Sequence, residues 1–282
     1  MSTLAQDLSA KLKRLHVLEK IIVLNTLVFV AGIIFKLLGF NILEWFSLPN
    51  LFSEFLGHPW SIISYGFLHH SFGHLFFNML VLYFLAQTFS NLFTPRLSLK
   101  IYILGVLFGG LAFLSTAIIM PDILRINGPL VGASAGVRAC ILFLCVYWPN
   151  KLVGFFTLRF QLKYLGIVMI ALDLPGLFSL NSGGTVAHIG GYISGYLYAK
   201  QLQNGKDFGA FLDTFFDYFK SKKTLRTAYK NKSSKMAGKQ KNEFNSFTHQ
   251  KQIDLILDKI SKSGYESLTQ AEKDFLFRAG KK

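Results

Sequence analysis

The chain has 282 residues, of which 51% are hydrophobic and only 16% charged, with 29 phenylalanines and a formal net charge of +15. A water-soluble core does not need so much apolar surface, so the composition excludes an ordinary soluble enzyme and indicates a polytopic membrane protein. The basic excess lies in short loops and a tail, where it bears on membrane orientation.

Residues 1–20 carry Lys11, Lys13, Arg14 and Lys20. The apolar run that follows is long and lacks a small-residue cleavage site, so this start reads as a cytoplasmic amphipathic segment before a retained signal anchor. Six apolar spans are predicted within residues 21–202: Ile21 to Phe40, His74 to Phe93, Ser98 to Met120, Ser134 to Trp148, Tyr164 to Phe178 and Val186 to Leu202. Most approach the length of about 20 residues that crosses the hydrocarbon. The fourth and fifth are short, since about 15 residues of helix reach roughly 22 Å; burial in a bundle or local thinning covers the deficit. The fold class is all-α. Cys140 and Cys145 lie five residues apart in the fourth span, face different directions and are poorly placed to bridge.

Orientation follows from the loops. Basic residues precede the first span, flank the second and third (Arg96, Lys100) and lie between the fourth and fifth (Lys151, Arg159, Lys163). The alternate loops hold almost none, with Arg125 as the exception between Pro121 and Gly132. Both termini are therefore expected in the cytoplasm. Trp45, Phe46, Phe52, Phe55 and Trp60 in the first outer loop suit an anchor at the outer interface.

On this topology the second, fourth and sixth spans all begin at the outer face, and each begins with polar or small residues. They are His69 to His74 leading to Asn78, Gly132-Ala133-Ser134-Ala135-Gly136, and Ala187-His188-Ile189-Gly190-Gly191. Polar groups are costly in a bilayer, so their gathering at one depth asks for a functional explanation. A serine hydroxyl becomes a useful nucleophile when a neutral imidazole accepts its proton, which pairs Ser134 with His188. A tetrahedral intermediate also needs donors for its oxyanion; His74 and Asn78, one turn apart, can supply them with the amide of Ser134. Gly191 and Gly195 repeat at the small-xxx-small spacing that lets membrane helices approach closely, as do Gly132 and Gly136.

Other readings fit less well. Gly-x-Ser-x-Gly also matches the nucleophile elbow of soluble hydrolases, but that needs alternating strands and helices and an acid before the histidine. Asp173 is the only acid between Ser134 and His188, and apolar spans flank it. His69, His74 and His188 lack a His-x3-His pair or a carboxylate cluster, so no metal site and no other cofactor is expected.

The set His69-x4-His74-x3-Asn78, Gly132-x-Ser134 and Ala187-His188-x2-Gly191-x3-Gly195, in that order on the second, fourth and sixth spans, resembles the rhomboid family of intramembrane serine proteases. The resemblance covers roughly Leu15 to Lys200. It implies a six-transmembrane-helix bundle in the bacterial inner membrane, with Ser134 as nucleophile, His188 as general base, and His74 and Asn78 as oxyanion groups beside Gly132. It implies substrates that are transmembrane proteins with a small, helix-destabilising segment near the outer face. The runner-up is a rhomboid-like protein that binds membrane clients without cutting them; such relatives typically lack the serine or histidine, and this chain keeps both.

Two positions depart from the family pattern. Ser61 follows Trp60 where relatives often have a Trp-Arg pair, which puts the loop anchoring in question. Arg138, one turn after Ser134, stands where relatives are usually uncharged. It can project into a water-filled cavity, pair with Asp173 or mark a weakened enzyme; the cavity is the expectation, because water must reach that turn anyway.

Residues 203–250 form a separate region. Phe208, Phe211, Leu212, Phe215, Phe216 and Phe219 recur at helical spacing and predict an amphipathic helix on the inner membrane surface. Lys220 to Lys241 carries nine basic residues and no acid, and reads as a linker held near anionic lipid headgroups. No nucleic-acid partner is expected, since stacked aromatics and a binding fold are missing. In residues 251–282, Ile253, Ile256, Leu257 and Ile260 mark a short helix stopped near Gly264, and Thr269-x2-Glu272 is a capping box for another. This resembles a helical appendage of some bacterial rhomboids.

Overall fold

The computed structural model describes residues 4–120, 128–155, 158–179, 181–218 and 253–279. The chain divides into two compact units, Met1–Ser221 and Lys222–Lys282.

The first unit begins with α1 (Leu4–Arg14) and α2 (Val17–Leu37). A reciprocal cap starts α2: Leu18 N–H donates to His16 Nδ1 at 3.3 Å and His16 N–H to Glu19 Oε2 at 2.7 Å. Leu24, Leu27, Val30, Ile33 and Ile34 point outward from α2, an apolar face suited to hydrocarbon. Three short helices follow, α3 (Ile42–Phe46), α4 (Phe52–Gly57) and α5 (Ser61–Ser64), then a 3₁₀ turn at Tyr65–Phe67. This first loop is fastened despite having Ser61 after Trp60. Trp60 Nε1 donates to Trp45 O at 2.9 Å, Ser64 Oγ to Phe46 O at 2.7 Å, and Leu48 exchanges backbone hydrogen bonds with Leu130.

The long helices α6 (Phe72–Leu92) and α7 (Pro95–Ile119) start at side-chain caps. Ser71 Oγ accepts from His74 N–H, and Thr94 Oγ1 from Leu97 N–H with Pro95 in the first turn. Next come α8 (Ser134–Tyr147), α9 (Leu162–Asp173) and α10 (Ser182–Gln203). Here α10 packs along both α7 and α8, and glycines set the spacing. A Cβ on Gly191 would collide with Ala135 O, one on Gly195 with Ala139 O, and one on Gly190 with Phe108 O. Any side chain at these positions would force the helices apart. Around this seam lie the fully buried Tyr65, Tyr102, Phe113, Phe143 and Tyr198.

By length and apolar composition, three of the described helices reach membrane-crossing size, α2, α6 and α7, whereas the sequence predicts six spans. The other three fall short for different reasons. Helix α8 is apolar but has 14 residues, and α9 has 12 before Pro175, which lacks the N–H to continue it, turns the chain into a 3₁₀ segment at Leu174–Phe178. Helix α10 has 22 residues, but glycine, serine and threonine on the face buried against α7 and α8 dilute its apolar character. The structure also starts α10 at Ser182, so His188 lies in its second turn and not at its opening. The fold is all-α as expected, apart from one short hairpin. The segment between α8 and α9 is an antiparallel hairpin, β1 (Leu152–Phe155) with β2 (Leu158–Gln161), in register from Leu152↔Gln161 to Phe155↔Leu158. Four-residue strands leave too little alternation to read in sequence.

After α10, α11 (Phe211–Tyr218) forms within the predicted amphipathic stretch. Charge fastens it to α7. Lys100, 2% exposed, reaches Asp207 Oδ2 at 2.6 Å and Asp213 Oδ2 at 2.7 Å, and Arg96 reaches Asp217 at 3.0 Å. Phe219 and the basic stretch Lys220 to Lys241 lie outside the described residues.

In the second unit, α12 (253–263) ends at Gly264, whose φ of 76° suits glycine and reverses the chain into a 3₁₀ turn at Tyr265–Ser267. Then α13 (Gln270–Ala279) opens with the predicted box: Thr269 N–H donates to Glu272 Oε2 at 2.8 Å and Glu272 N–H to Thr269 Oγ1 at 3.4 Å. Lys259 on α12 bonds Glu272 at 2.9 Å, tying the two helices together.

Candidate functional site

Ser134 is the first residue of α8, so its N–H belongs to the turn that has no acceptor inside the helix. The approach to it is set by Gly132, whose φ of 132° is rarely adopted by residues with a side chain. Space forbids a side chain there as well, because a Cβ would lie 2.9 Å from the His74 ring and 3.5 Å from Ser134 Oγ. Gly132 N–H donates to Tyr65 O at 3.0 Å, which fixes the strand-like entry to α8.

Across the glycine seam, His188 Nε2 lies 2.8 Å from Ser134 Oγ. The pair is 54 residues apart in sequence and meets because Gly191 rests on Ala135 O, one residue after the serine. Both side chains line a cavity of about 640 Å³, together with His74, Asn78, Arg138 and Met169. His74 and Asn78 stand one turn apart on α6. Asn78 Nδ2 donates to His74 O at 2.8 Å, which uses one of its two amide hydrogens and orients the other group. The structure thus brings Ser134, His188, His74 and Asn78 around one cavity, with Gly132 against the His74 ring and Ser134 Oγ, while Gly191 and Gly195 act one layer back by setting helix separation.

His69 is 3% exposed, and neither ring nitrogen has a hydrogen-bond partner among the described residues. Its ring packs edge-on against His74 at 4.9 Å. Burial, with His74 and His70 adding to it, pushes the imidazole down to about 3. It is a neutral wall behind His74 at physiological pH.

Arg138 corrects the sequence reading. It borders the cavity, but its charge is met by protein: Nε reaches Asp173 Oδ2 at 2.8 Å and Nη2 reaches Oδ1 at 3.1 Å, a bidentate pair between α8 and the end of α9. A guanidinium this buried would be costly without a counter-charge, and the carboxylate supplies it. Asp173 also accepts from Tyr192 OH at 2.6 Å, and its Oδ2 lies 3.2 Å from His188 Nδ1. Sequence reasoning missed this contact with the histidine. A signal was present, since Arg138 follows Ser134 by four residues and Tyr192 follows His188 by four, placing each on the same helix face as the serine or the histidine.

Comparison with known families agrees with this architecture. The Rhomboid domain model matches residues 56–204, more than half of the chain. Residues 241–282 match a family of unknown function, DUF6576. No curated protein matches the chain. With the domain match spanning the cavity-forming helices α6 to α10, the chain belongs to the rhomboid family of integral, multi-pass membrane proteins.

Proposed function

We propose that the protein is an active intramembrane serine endopeptidase that cuts transmembrane substrates near the outer membrane face. The observation that carries this reading is the 2.8 Å approach of His188 Nε2 to Ser134 Oγ beside a cavity large enough for an extended peptide segment and water. In the mechanism, Ser134 Oγ attacks the scissile carbonyl while His188 Nε2 takes its proton. The oxyanion forms opposite the Ser134 N–H, with the His74 ring and the Asn78 amide as further donors. His188 then delivers the proton to the leaving amine, and water admitted through the cavity hydrolyses the acyl-enzyme by the same steps in reverse roles.

The reading includes six membrane crossings, with α8, α9 and α10 as the three shorter or more polar ones, both termini in the cytoplasm of a bacterial cell, and a basic tail near anionic lipid. Loop charges support that orientation. The organisation into an N-terminal segment, a membrane domain, a linker and a helical appendage belongs to the same reading.

Purified protein in liposomes, given a single-span substrate, tests it. Wild type cleaves, and Ser134→Ala and His188→Ala each abolish cleavage while melting temperature stays within a few degrees. Cleavage undiminished in the serine variant defeats the mechanism, and stable client binding without cleavage by wild type favours the escort role. For topology, a cysteine at Ser53 reacts with an impermeant reagent from outside and a reporter after Lys282 reads cytoplasmic; the opposite pattern inverts the site.

A further inference from the structure

Side chains from two helices converge on a carboxylate carried by a third, next to the Ser134 and His188 pair. Arg138 stands one turn after Ser134 on α8, and Tyr192 one turn after His188 on α10. Both reach Asp173, the last residue of α9. Its Oδ2 takes Arg138 Nε at 2.8 Å and Tyr192 OH at 2.6 Å, and it sits 3.2 Å from His188 Nδ1. That nitrogen is buried and forms no well-aligned hydrogen bond among the described residues, although a carboxylate oxygen lies within reach. A small tilt of the ring would complete the bond.

We propose that Asp173 is a positioning residue for His188, so that the site works as a Ser134, His188 and Asp173 relay clamped by Arg138 and Tyr192. The proposal rests on the protease reading above. A neutral imidazole has one proton, and His188 accepts from Ser134 at Nε2 only when that proton is on Nδ1. A carboxylate facing Nδ1 selects this tautomer and holds the ring plane toward the serine. During attack the serine proton passes to Nε2, and the resulting imidazolium stands among largely apolar helices with Oδ2 as its counter-charge. The proton then leaves with the amine of the cleaved bond, while Asp173 stays ionised throughout.

The clamp explains why the carboxylate is held by two further groups. The fork of Arg138 fixes the carboxylate plane and balances its charge at rest, and the Tyr192 hydroxyl bonds the same oxygen that faces the ring. A buried ion pair is weak evidence of stabilisation in itself, because desolvation offsets most of its attraction. Its placement against the imidazole is what requires a functional reason.

The test uses the full chain in liposomes with a single-span substrate, comparing wild type with Asp173→Asn, Asp173→Glu, Arg138→Met and the double variant Arg138→Met with Asp173→Asn. Asp173→Asn lowers kcat by about 100-fold or more, with KM changed by less than about threefold, and Asp173→Glu recovers part of the loss. The double variant is no faster than Asp173→Asn, because removing Arg138 does not restore a partner to His188. If Asp173 serves only to neutralise Arg138, the double variant returns to the kcat of Arg138→Met, and that result overturns the proposal. So does a kcat for Asp173→Asn within about threefold of wild type. Should Asp173→Asn misfold through its unpaired guanidinium, the double variant carries the decision: folded and slow supports the relay, folded and fast refutes it. Labelling of Ser134 by a fluorophosphonate gives a substrate-free readout with the same expected order. Wild type that neither labels nor cleaves defeats the protease reading itself, a result separate from any difference among the variants.

Discussion

Two charge clusters lie at different levels of the helical bundle, and they are built differently. At one end Lys100 is buried near the start of α7, with Asp207 and Asp213 on its ammonium and Tyr198 donating to Asp207. Nearer the middle of α7, where Gly105 faces Ala139, Arg138 and Tyr192 share Asp173 with the ring of His188. The carboxylates of the first cluster come from the segment just after α10, where Asp207 also accepts from the Gly209 N–H and Asp213 also pairs with Arg96, so the cluster fastens a chain segment to the bundle. The partners of the second come from α8, α9 and α10 and include a titratable ring on a cavity. The lesson is that a buried charge in this bundle reads as a fastener when it closes on itself and as part of a site when it leaves one contact open to a reacting group.

The strongest break of this comparison is at the fastener. Asp207→Asn combined with Asp213→Asn leaves Lys100 buried without a counter-charge and lowers stability by about 3–5 kcal/mol. Cleavage per folded molecule stays at the wild-type rate. Denaturation monitored alongside liposome activity checks both, and a kcat that falls with stability would show that the far cluster also shapes the site.

The next effect lies at the site. Asn78→Ala lowers kcat by about 100-fold, close to 2.7 kcal/mol, while fluorophosphonate labelling of Ser134 stays detectable, because an oxyanion donor acts in the transition state. A change confined to KM makes Asn78 a substrate contact instead.

The smallest effect separates the clusters by pH. Burial alone would raise the Asp207 carboxyl, but hydrogen bonds from Lys100, Tyr198 and the Gly209 N–H outweigh it and hold the group below its ordinary value. A depressed carboxyl contributes stability that is present above its unfolded value and lost as pH falls through the folded one. Melting temperature therefore declines below about pH 4 in wild type. The decline is shallower in Asp207→Asn, and equal slopes would remove Asp207 from the account.

Much of the site was legible because it depends on local register. The positions of α2, α6 and α7 follow from apolar runs, Thr94 with Pro95 marks a helix start, and Ser134, His188, His74 and Asn78 stand at helix faces that spacing alone identifies. Gly191 and Gly195 were readable as a close-packing stripe, although the partners of that stripe, Ala135 O and Ala139 O, were not. The hairpin between α8 and α9 was too short to show alternation. Arg138 was noticed for its charge, yet its choice between water and Asp173 depends on how α9 leans against α8.

The sequence by itself determined the environment, the apolar runs and the residue types able to carry acyl-transfer chemistry, because hydropathy, charge and helical period are properties of neighbouring residues. The tertiary structure decided which side chains meet. The approach of His188 to Ser134 at 2.8 Å requires the α8 and α10 backbones to touch through glycine, and the arrival of Asp173 at the other ring nitrogen requires α9 to end at that depth. Crossing angle, rotation and helix length together set those distances, and they come from packing across the bundle rather than from any one stretch of chain.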